Sequence, residues 1–157
     1  LGAADYKQKQ VEEEQHRAVM QKLARTEGEK GQPETSNLPE LVDWLGLLQQ
    51  DGLNPYVRDV LGLIAAHYRE RLSVEQTADA LGISASYLSR KLKENTGHTF
   101  NSLVTRYRLQ QSLALLREGR LRVYEVAEQV GFSDYKNFAQ VFRKYLAMTP
   151  SQFMQGL

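Results

Sequence analysis

Cysteine is absent from this chain of 157 residues, which excludes a disulfide framework and a thiolate metal site. Proline is scarce, with four residues, while Leu, Ala, Gln, Glu, Arg and Lys are frequent, a composition that favours helix. The longest apolar stretches, such as residues 60–66, are much too short to span a membrane. No signal peptide is visible, so we expect a cytoplasmic protein, and a chain that starts at Leu1 is interpreted as a fragment. A hydrophobic content of 41% is enough to bury a core, in one domain or two small ones.

Signatures of catalysis are also missing. The sequence has no glycine-rich phosphate loop, nucleophile elbow or metal-spaced cluster. Its three histidines, His16, His67 and His98, are far apart, and an isolated histidine is more often a structural residue than a ligand. Asp134 and Glu125 are interpreted as helix-capping residues rather than acid–base groups. We therefore predict no catalytic residue, no metal site, no cofactor and no enzymatic activity.

Charge is distributed unevenly along the chain. Residues 1–70 contain 8 Lys and Arg against 12 Asp and Glu, a net charge of −4. Residues 71–157 contain 12 against 7, a net charge of +5. This asymmetry suits a nucleic-acid partner for the C-terminal part, although a surface of that charge is also common among other soluble domains.

One pattern occurs twice in the C-terminal part. The first copy consists of Ala78, Leu81, Gly82, Ile83, Ser84, Leu88, Leu92, Thr99 and Leu103. The second consists of Ala127, Val130, Gly131, Phe132, Ser133, Phe138, Phe142, Thr149 and Phe153. Corresponding positions are 49 residues apart up to the serine and 50 apart after it, so the second copy has one additional residue between Ser133 and Phe138. A small-residue helix, a turn glycine, a capping serine and a second amphipathic helix form a helix-turn-helix, a motif that reads duplex DNA.

The repeat predicts an all-α fold with two helix-turn-helix subdomains joined by a long linker helix. We expect the first motif over residues 73–96, the linker helix over 100–118 and the second motif over 122–146. A helix opens this domain near Tyr56, and a capping box at Thr149 starts a short terminal one. The linker helix, of about 18 residues, spans roughly 27 Å. The second helices of the two motifs can then approach the ~34 Å that separates successive major-groove faces of a duplex.

The N-terminal third is predicted to contain helices and a flexible linker. An acidic helix is expected over residues 12–24, and residues 26–37 are polar and broken by Gly and Pro, as is typical of a mobile linker. Residues 38–53 are predicted to form a connecting helix and its end. The proposed apolar face of that helix contains Leu38, Leu41, Val42, Leu45 and Leu48. Trp44 and Leu47 lie outside this face, which indicates packing on a second side, either within the domain or against a partner protomer in a homodimer.

The outward stripes of the two recognition helices carry the functional hypothesis. In the first, Leu88 and Leu92 must face inward, and the opposite stripe contains Ser86, Ser89, Arg90 and Lys93. In the second, Phe138 and Phe142 face inward, and the stripe contains Lys136, Ala139, Gln140 and Arg143, with Tyr135 near the additional residue. Positions that must pack keep their type while outward positions change, as expected of two copies of one scaffold that read different bases.

Each outward side chain has a predicted role. Candidates for base readout are Ser86, Ser89, Arg90, Tyr135, Lys136 and Gln140, because such side chains can pair with base edges. Candidates for phosphate contacts are Lys93, Arg106 and Arg143. Arg108 on the same linker helix is a further candidate, and both Arg106 and Arg108 have an alternative role, in which their stems cover the surface of that helix. A solvated surface on a helical protein-interaction module, without specific DNA binding, is the alternative function.

Residues 54–157 resemble the DNA-binding domain of the AraC/XylS family of bacterial transcription regulators. The resemblance rests on Leu81-Gly82-Ile83-Ser84 with Tyr87-Leu88-Ser89-Arg90, on Tyr124-Glu125-Val126-Ala127 with Val130-Gly131-Phe132-Ser133-Asp134-Tyr135 and Phe138, and on Phe142-Arg143-Lys144 with Met148-Thr149-Pro150. One departure is Ala147, where the family usually has glycine, as at Gly97 in the first copy. This alanine is expected to strain or slightly shift its turn. The resemblance implies promoter DNA and RNA polymerase as partners.

The first 25 residues are similar to the end of a response-regulator receiver domain. The similarity lies in Gly2-Ala3-Ala4-Asp5-Tyr6-Lys7-Gln8-Lys9, with Lys9 in the position of the family's phosphate-contacting lysine and Gln10 in that of a proline. Together the two resemblances imply a two-component response regulator with an AraC-type output domain. A sensor histidine kinase would then be a partner of the intact protein. An unrelated acidic helix is the alternative interpretation of these residues.

Overall fold

The computed structural model describes residues 39–157, and within this range every regular element is a helix. The eight helices are α1 (Trp44–Leu48), α2 (Pro55–His67), α3 (Val74–Leu81), α4 (Ala85–Thr96), α5 (Phe100–Glu118), α6 (Val123–Gln129), α7 (Tyr135–Leu146) and α8 (Pro150–Gln155). The all-α class and the tandem arrangement are confirmed. The receiver-like segment at residues 1–25 and the linker at 26–37 lie outside the described residues.

The first helix-turn-helix consists of α3 and α4. Ser73 caps α3 by accepting a hydrogen bond from Gln76 N at 3.1 Å, and Gly82 ends it in the left-handed conformation with φ 74°. Ser84 then caps α4 by accepting from Tyr87 N at 3.0 Å. Gly97 ends α4, again with a positive φ. The helix bounds therefore follow from local capping chemistry that is visible in the sequence.

The second helix-turn-helix, α6 and α7, has the same backbone design. Phe132 N donates to Ala127 O at 3.0 Å, as Ile83 N does to Ala78 O at the same distance in the first turn. The additional residue of the second copy moves the cap of α7 from the serine to the next position. There Asp134 Oδ1 accepts from Asn137 N at 2.6 Å, and the interpretation of Asp134 as a capping residue is confirmed. Glu125 is likewise a capping residue, because its carboxylate accepts from Arg122 N at 2.8 Å.

Helix α5 connects two separate hydrophobic cores. Its first half contributes Phe100, Leu103 and Val104 to the core of the first subdomain, and its second half contributes Leu109, Leu113 and Leu116 to that of the second. The first core also contains α2 and the inward side of α4, whereas the second is dominated by phenylalanines of α7 and α8. A single continuous helix therefore carries both subdomains, with residues 105–108 half-buried at the boundary between the two cores.

The predicted connecting helix over residues 38–50 is wrong in length and in its buried face. Of its described residues, only Trp44–Leu48 are helical, and residues 39–43 run across α5 without regular structure. Leu45, predicted to be buried, is 43% exposed, whereas Leu47, predicted to lie outside the apolar face, is 2% exposed. Asp43 explains the late start, because its side chain caps the helix by accepting from Gly46 N at 3.0 Å.

Candidate nucleic-acid interface

The outward stripe of α4 is exposed along its whole length. Leu88 and Leu92 are completely buried, while Ser86, Ser89, Arg90 and Lys93 are all exposed. The N-cap at Ser84 fixes where the helix begins, and the two leucines fix its rotation about its axis. The four predicted contact residues of the first motif therefore lie on one continuous accessible surface.

Arg90 is exposed but is held in place by weak contacts within its own helix. Its guanidinium carbon lies 5.4 Å from the centroid of the Tyr87 ring, and its Nε is 4.0 Å from Glu94 Oε2. An exposed ion pair at this distance contributes little to stability. The guanidinium is therefore oriented along the helix, and the N–H donors at its edge are accessible to a base edge.

The outward stripe of α7 has the corresponding position and a different composition. Phe138 and Phe142 are completely buried, and Tyr135, Lys136, Gln140 and Arg143 are exposed. Ala139, in the middle of the stripe, is partly buried and projects less than its exposed neighbours. This helix contains three cations and no acidic residue between its caps, whereas α4 contains Glu94 beside its cations. The second surface is therefore the more uniformly positive of the two.

The three predicted phosphate contacts differ in their surroundings. Arg143 is exposed, and Lys93, also exposed, donates to Gly97 O at 3.1 Å near the end of its own helix. Arg106 is half-buried and is bound within the domain. Its Nη1 donates to Leu41 O at 2.8 Å and its Nε donates to Ser102 Oγ at 3.0 Å. The structure thus groups Lys93 and Arg143 with the exposed stripes but not Arg106.

Arg108 joins the two subdomains on another side of α5. Its Nε and Nη2 donate to Tyr68 O and Glu70 O, both at 2.7 Å, where α2 ends. The guanidinium also lies 6.0 Å from the centroid of the Phe132 ring in the turn of the second motif. Burial lowers the pKa of this guanidinium from its ordinary value. Of the two roles considered for Arg108, the structure therefore gives it a packing one, although by hydrogen bonds rather than by its stem alone.

Tyr107 lies between these two arginines and links three aromatic rings. Its ring centroid is 4.6 Å from that of Trp44 and 5.1 Å from that of Tyr68. Burial, and secondarily the neighbouring Tyr68, raises the pKa of the Tyr107 hydroxyl. Trp44 thus packs within its own domain, which confirms one of the two predicted alternatives for its second packed side.

The contacts between the subdomains were not found by sequence reasoning. Arg108 and its acceptor Tyr68 are 40 residues apart, and Arg106 and Leu41 are 65 apart. Neither pair has a spacing signal of the kind that marks a cap or an amphipathic face. The available signal was an excess of arginine in the middle of the linker helix, which fits a phosphate contact equally well.

Among residues 39–157, no group of three or more His, Asp or Glu side chains is placed to hold a metal ion. In the same range, no helix combines the length and the apolar character that crossing a bilayer requires. What the fold defines is a tandem helix-turn-helix unit with two exposed recognition helices.

Comparison with known proteins agrees with this class. The family described as "Helix-turn-helix domain" matches residues 77–156, about half of the chain. The C-terminal domain of AraT, a response regulator from Geobacillus stearothermophilus, superposes with a TM-score of 0.66 at 31% identity, over 68% of this chain and 89% of that one. The chain belongs to the AraC-type helix-turn-helix family, whose domains bind DNA in transcription regulation.

Two curated relatives from staphylococci are longer proteins. A response regulatory protein of Staphylococcus epidermidis is 40% identical over 107 residues, which cover 68% of this chain and 42% of the relative. The transcriptional regulatory protein HptR of Staphylococcus aureus is 33% identical over 150 residues, or 95% of this chain and 59% of the relative. The chain therefore spans less than two thirds of the length of these relatives.

Proposed function

We propose that this chain is the output part of a bacterial two-component response regulator and that one protomer reads two adjacent major-groove segments of a promoter. Helix α4 enters one segment and α7 the next, with α5 as the spacer. Because the two stripes differ at every outward position, the site for one protomer is non-palindromic. The observation that carries the proposal is the exposure of two equivalent helix faces whose buried residues match and whose outward residues differ.

The side chains of α4 and α7 are proposed to have separate roles. Arg90 pairs with guanine through O6 and N7, and the two serines beside it bond to neighbouring base edges. On α7, Gln140 addresses adenine, while Tyr135 and Lys136 lie at the end of the helix that enters the groove first. Phosphate contacts come from Lys93 and Arg143. Arg106 is left out of this set because its guanidinium is already bound within the domain.

The longer relatives support the context of a response regulator. The match with HptR covers 95% of the chain and so extends beyond the described helices into the first 38 residues. We propose that the intact protein is cytoplasmic, is phosphorylated through a sensor histidine kinase and recruits RNA polymerase. Its output part has no catalytic role in this proposal. A homodimer on paired sites is compatible with the open outward surfaces.

Selection of binding sites from a random duplex pool tests the proposal. We expect a bipartite motif whose halves lie about 10 base pairs apart, one helical turn. Enrichment of a single short motif would contradict reading by both helices. A pool from which no sequence is enriched would contradict specific DNA binding altogether.

The competing function, a helical protein-interaction module, differs in its dependence on salt. DNA binding through several cations requires the affinity for duplex DNA to fall steeply as salt rises, because condensed counterions are released. A protein-interaction module has no such salt-dependent DNA affinity. Titration of a fluorescent duplex at several salt concentrations separates the two, and the positive stripe on α7 favours the first.

A further inference from the structure

Residues 39–43, which precede α1, lie across the boundary between the two subdomains. Leu41 is 5% exposed and belongs to the core of the second subdomain, whereas the adjacent Val42 is 4% exposed and belongs to that of the first. Two neighbouring residues are thus buried in different cores. Residues 39–43 therefore contact both helix-turn-helix units before the chain enters α1.

Helix α5 holds this segment by its backbone. Arg106 Nη1 donates to Leu41 O at 2.8 Å, and Gln110 Oε1 accepts from Leu41 N at 3.3 Å. Arg106 and Gln110 are one helical turn apart and so lie on the same face of α5. The backbone N–H and C=O of Leu41 are thereby both satisfied by side chains of the linker helix.

Arg106 also contacts the second recognition helix. Its guanidinium carbon lies 5.2 Å from the centroid of the Tyr145 ring of α7. At its inner end, Nε donates to Ser102 Oγ at 3.0 Å. A planar guanidinium held in this way has little freedom, because several partners fix its orientation. The side chain of Arg106 therefore connects residues 39–43, the linker helix and α7.

Arg106 lies at a position along α5 where its contacts can affect the angle between the two subdomains. Residues 105–108 form the part of α5 that lies between the two cores, where bending would change the angle between the subdomains. Arg106 and Arg108 project from this part in roughly opposite directions, since residues two apart are separated by about 200° around a helix. Arg108 ties the end of α2 on one side, and Arg106 ties residues 39–43 and α7 on the other.

We propose that Arg106, together with residues 39–43, fixes the angle between the two recognition helices and thus the spacing of the two base groups that one protomer reads. Arg106 is a positioning residue and not a phosphate contact. The consequence for DNA rests on the proposed tandem reading. The geometric part does not, because the angle between the subdomains exists without DNA.

The first experiment measures that geometry without DNA. The sequence has no cysteine, so spin labels can be placed at Ala80→Cys in α3 and Gln129→Cys in α6, both exposed and one in each subdomain. We expect Arg106→Met to broaden or shift the distribution of label distances. Arg58→Met is the matched control, because Arg58 also donates to a backbone carbonyl, that of Leu48 at 3.1 Å, but Leu48 ends α1 and packs against the first core. A distribution for Arg106→Met identical to that of the control would overturn the proposal.

The second experiment uses the selected bipartite duplex and variants with two base pairs inserted between the halves. The insertion lowers the affinity for the duplex, and this loss of affinity should be about tenfold smaller for Arg106→Met than for the control. A difference of this size is expected from loss of a hydrogen bond to a charged group. The slope of log affinity against log salt should not change. A slope reduced by about 0.9, with the insertion penalty intact, would mean that Arg106 neutralises a phosphate and would contradict the proposal.

A milder variant covers the case in which Arg106→Met does not fold. Gln110→Ala releases only the N–H of Leu41 and should change the label distances in the same direction, by less. If it folds and leaves both the label distances and the insertion penalty unchanged, the segment has no positioning role. If the selection yields no bipartite site, the tandem reading fails while the label distances still test the geometry.

Discussion

The two helix-turn-helix units share a backbone and differ in how their turns are supported. In both, a glycine with a positive φ follows the first helix, Gly82 at 74° directly after α3 and Gly131 at 99° one residue beyond the C-cap of α6. A Cβ added at Gly82 would meet nothing within 4 Å, whereas one at Gly131 would lie 2.7 Å from Tyr68 O and 3.0 Å from Arg108 Nε. The first turn requires glycine for conformation alone. The second also requires it for close approach, because this turn packs against the end of α2.

A similar contrast occurs at the ends of the recognition helices. Gly97 and Ala147 both adopt the left-handed conformation, with φ 79° and 61°. In the described range, Ala147 is the only residue other than glycine with a positive φ. Ala147 thus adopts the conformation that favours glycine, at the position where the sequence predicts a strained or slightly shifted turn. The turn of the first unit thus depends only on local backbone conformation. The turn of the second unit depends in addition on its packing against the end of α2.

The largest expected effect comes from Gly131→Ala. A methyl group there collides with a backbone carbonyl in addition to straining the backbone, so we expect the free energy of unfolding to fall by about 3 kcal/mol. For Gly82→Ala only the strain of the left-handed backbone applies, so we expect the free energy of unfolding to fall by about 1 kcal/mol. Urea denaturation of both variants measures the difference. Equal losses would show that the second turn does not depend on contact with the end of α2.

Arg90→Ala and Arg143→Ala should separate base reading from phosphate contact. Loss of Arg90 is expected to remove about 1–3 kcal/mol of discrimination at one base pair of the first half-site. Loss of Arg143 should weaken binding equally for all sequences and reduce the salt slope by about 0.9. Affinities for the selected duplex and for single-base variants measure both effects. If the specific-to-nonspecific ratio of Arg90→Ala were that of the unchanged protein, the assignment of α4 as a base-reading helix would be wrong.

The smallest effect is expected from Ala147→Gly. Relief of the left-handed alanine is worth about 1–2 kcal/mol, and the greater freedom of glycine in the unfolded chain offsets about 0.4–1 kcal/mol of it. The net gain in the free energy of unfolding is therefore about 0.5–1 kcal/mol. Gly97→Ala, the converse change in the first unit, should lose a similar amount. A destabilised Ala147→Gly variant would indicate that the Cβ of Ala147 makes a contact that outweighs its strain.

Local chemistry explains which parts of the fold could be predicted. The linker helix is expected over 100–118 and observed as Phe100–Glu118, because Thr99 caps one end and Gly119 the other. The exposed stripes follow from helical spacing once Leu88 and Phe138 are placed inward. These features depend on residues within one or two turns of each other, so the sequence contains their cause.

Residues 39–43 show why the rest could not be predicted. The leucines of the predicted helix have helical spacing, yet the backbone of Leu41 is bound by side chains 65 and 69 residues away. Those contacts exist only after both subdomains have assembled on α5. For the same reason the sequence predicts a phosphate contact for Arg106, whereas in the structure its guanidinium is bound within the domain.

In the proposed function, one protomer reads two groove segments with two different helices. Hydroxyl-radical footprinting of the selected duplex, at one bound protomer per duplex, tests it most directly. We expect two protected windows on the same face of the duplex, about 10 base pairs apart. Arg90→Ala should weaken protection mainly in one window, and Gln140→Ala mainly in the other. A single protected window, unaffected by the change at Gln140, would contradict the claim.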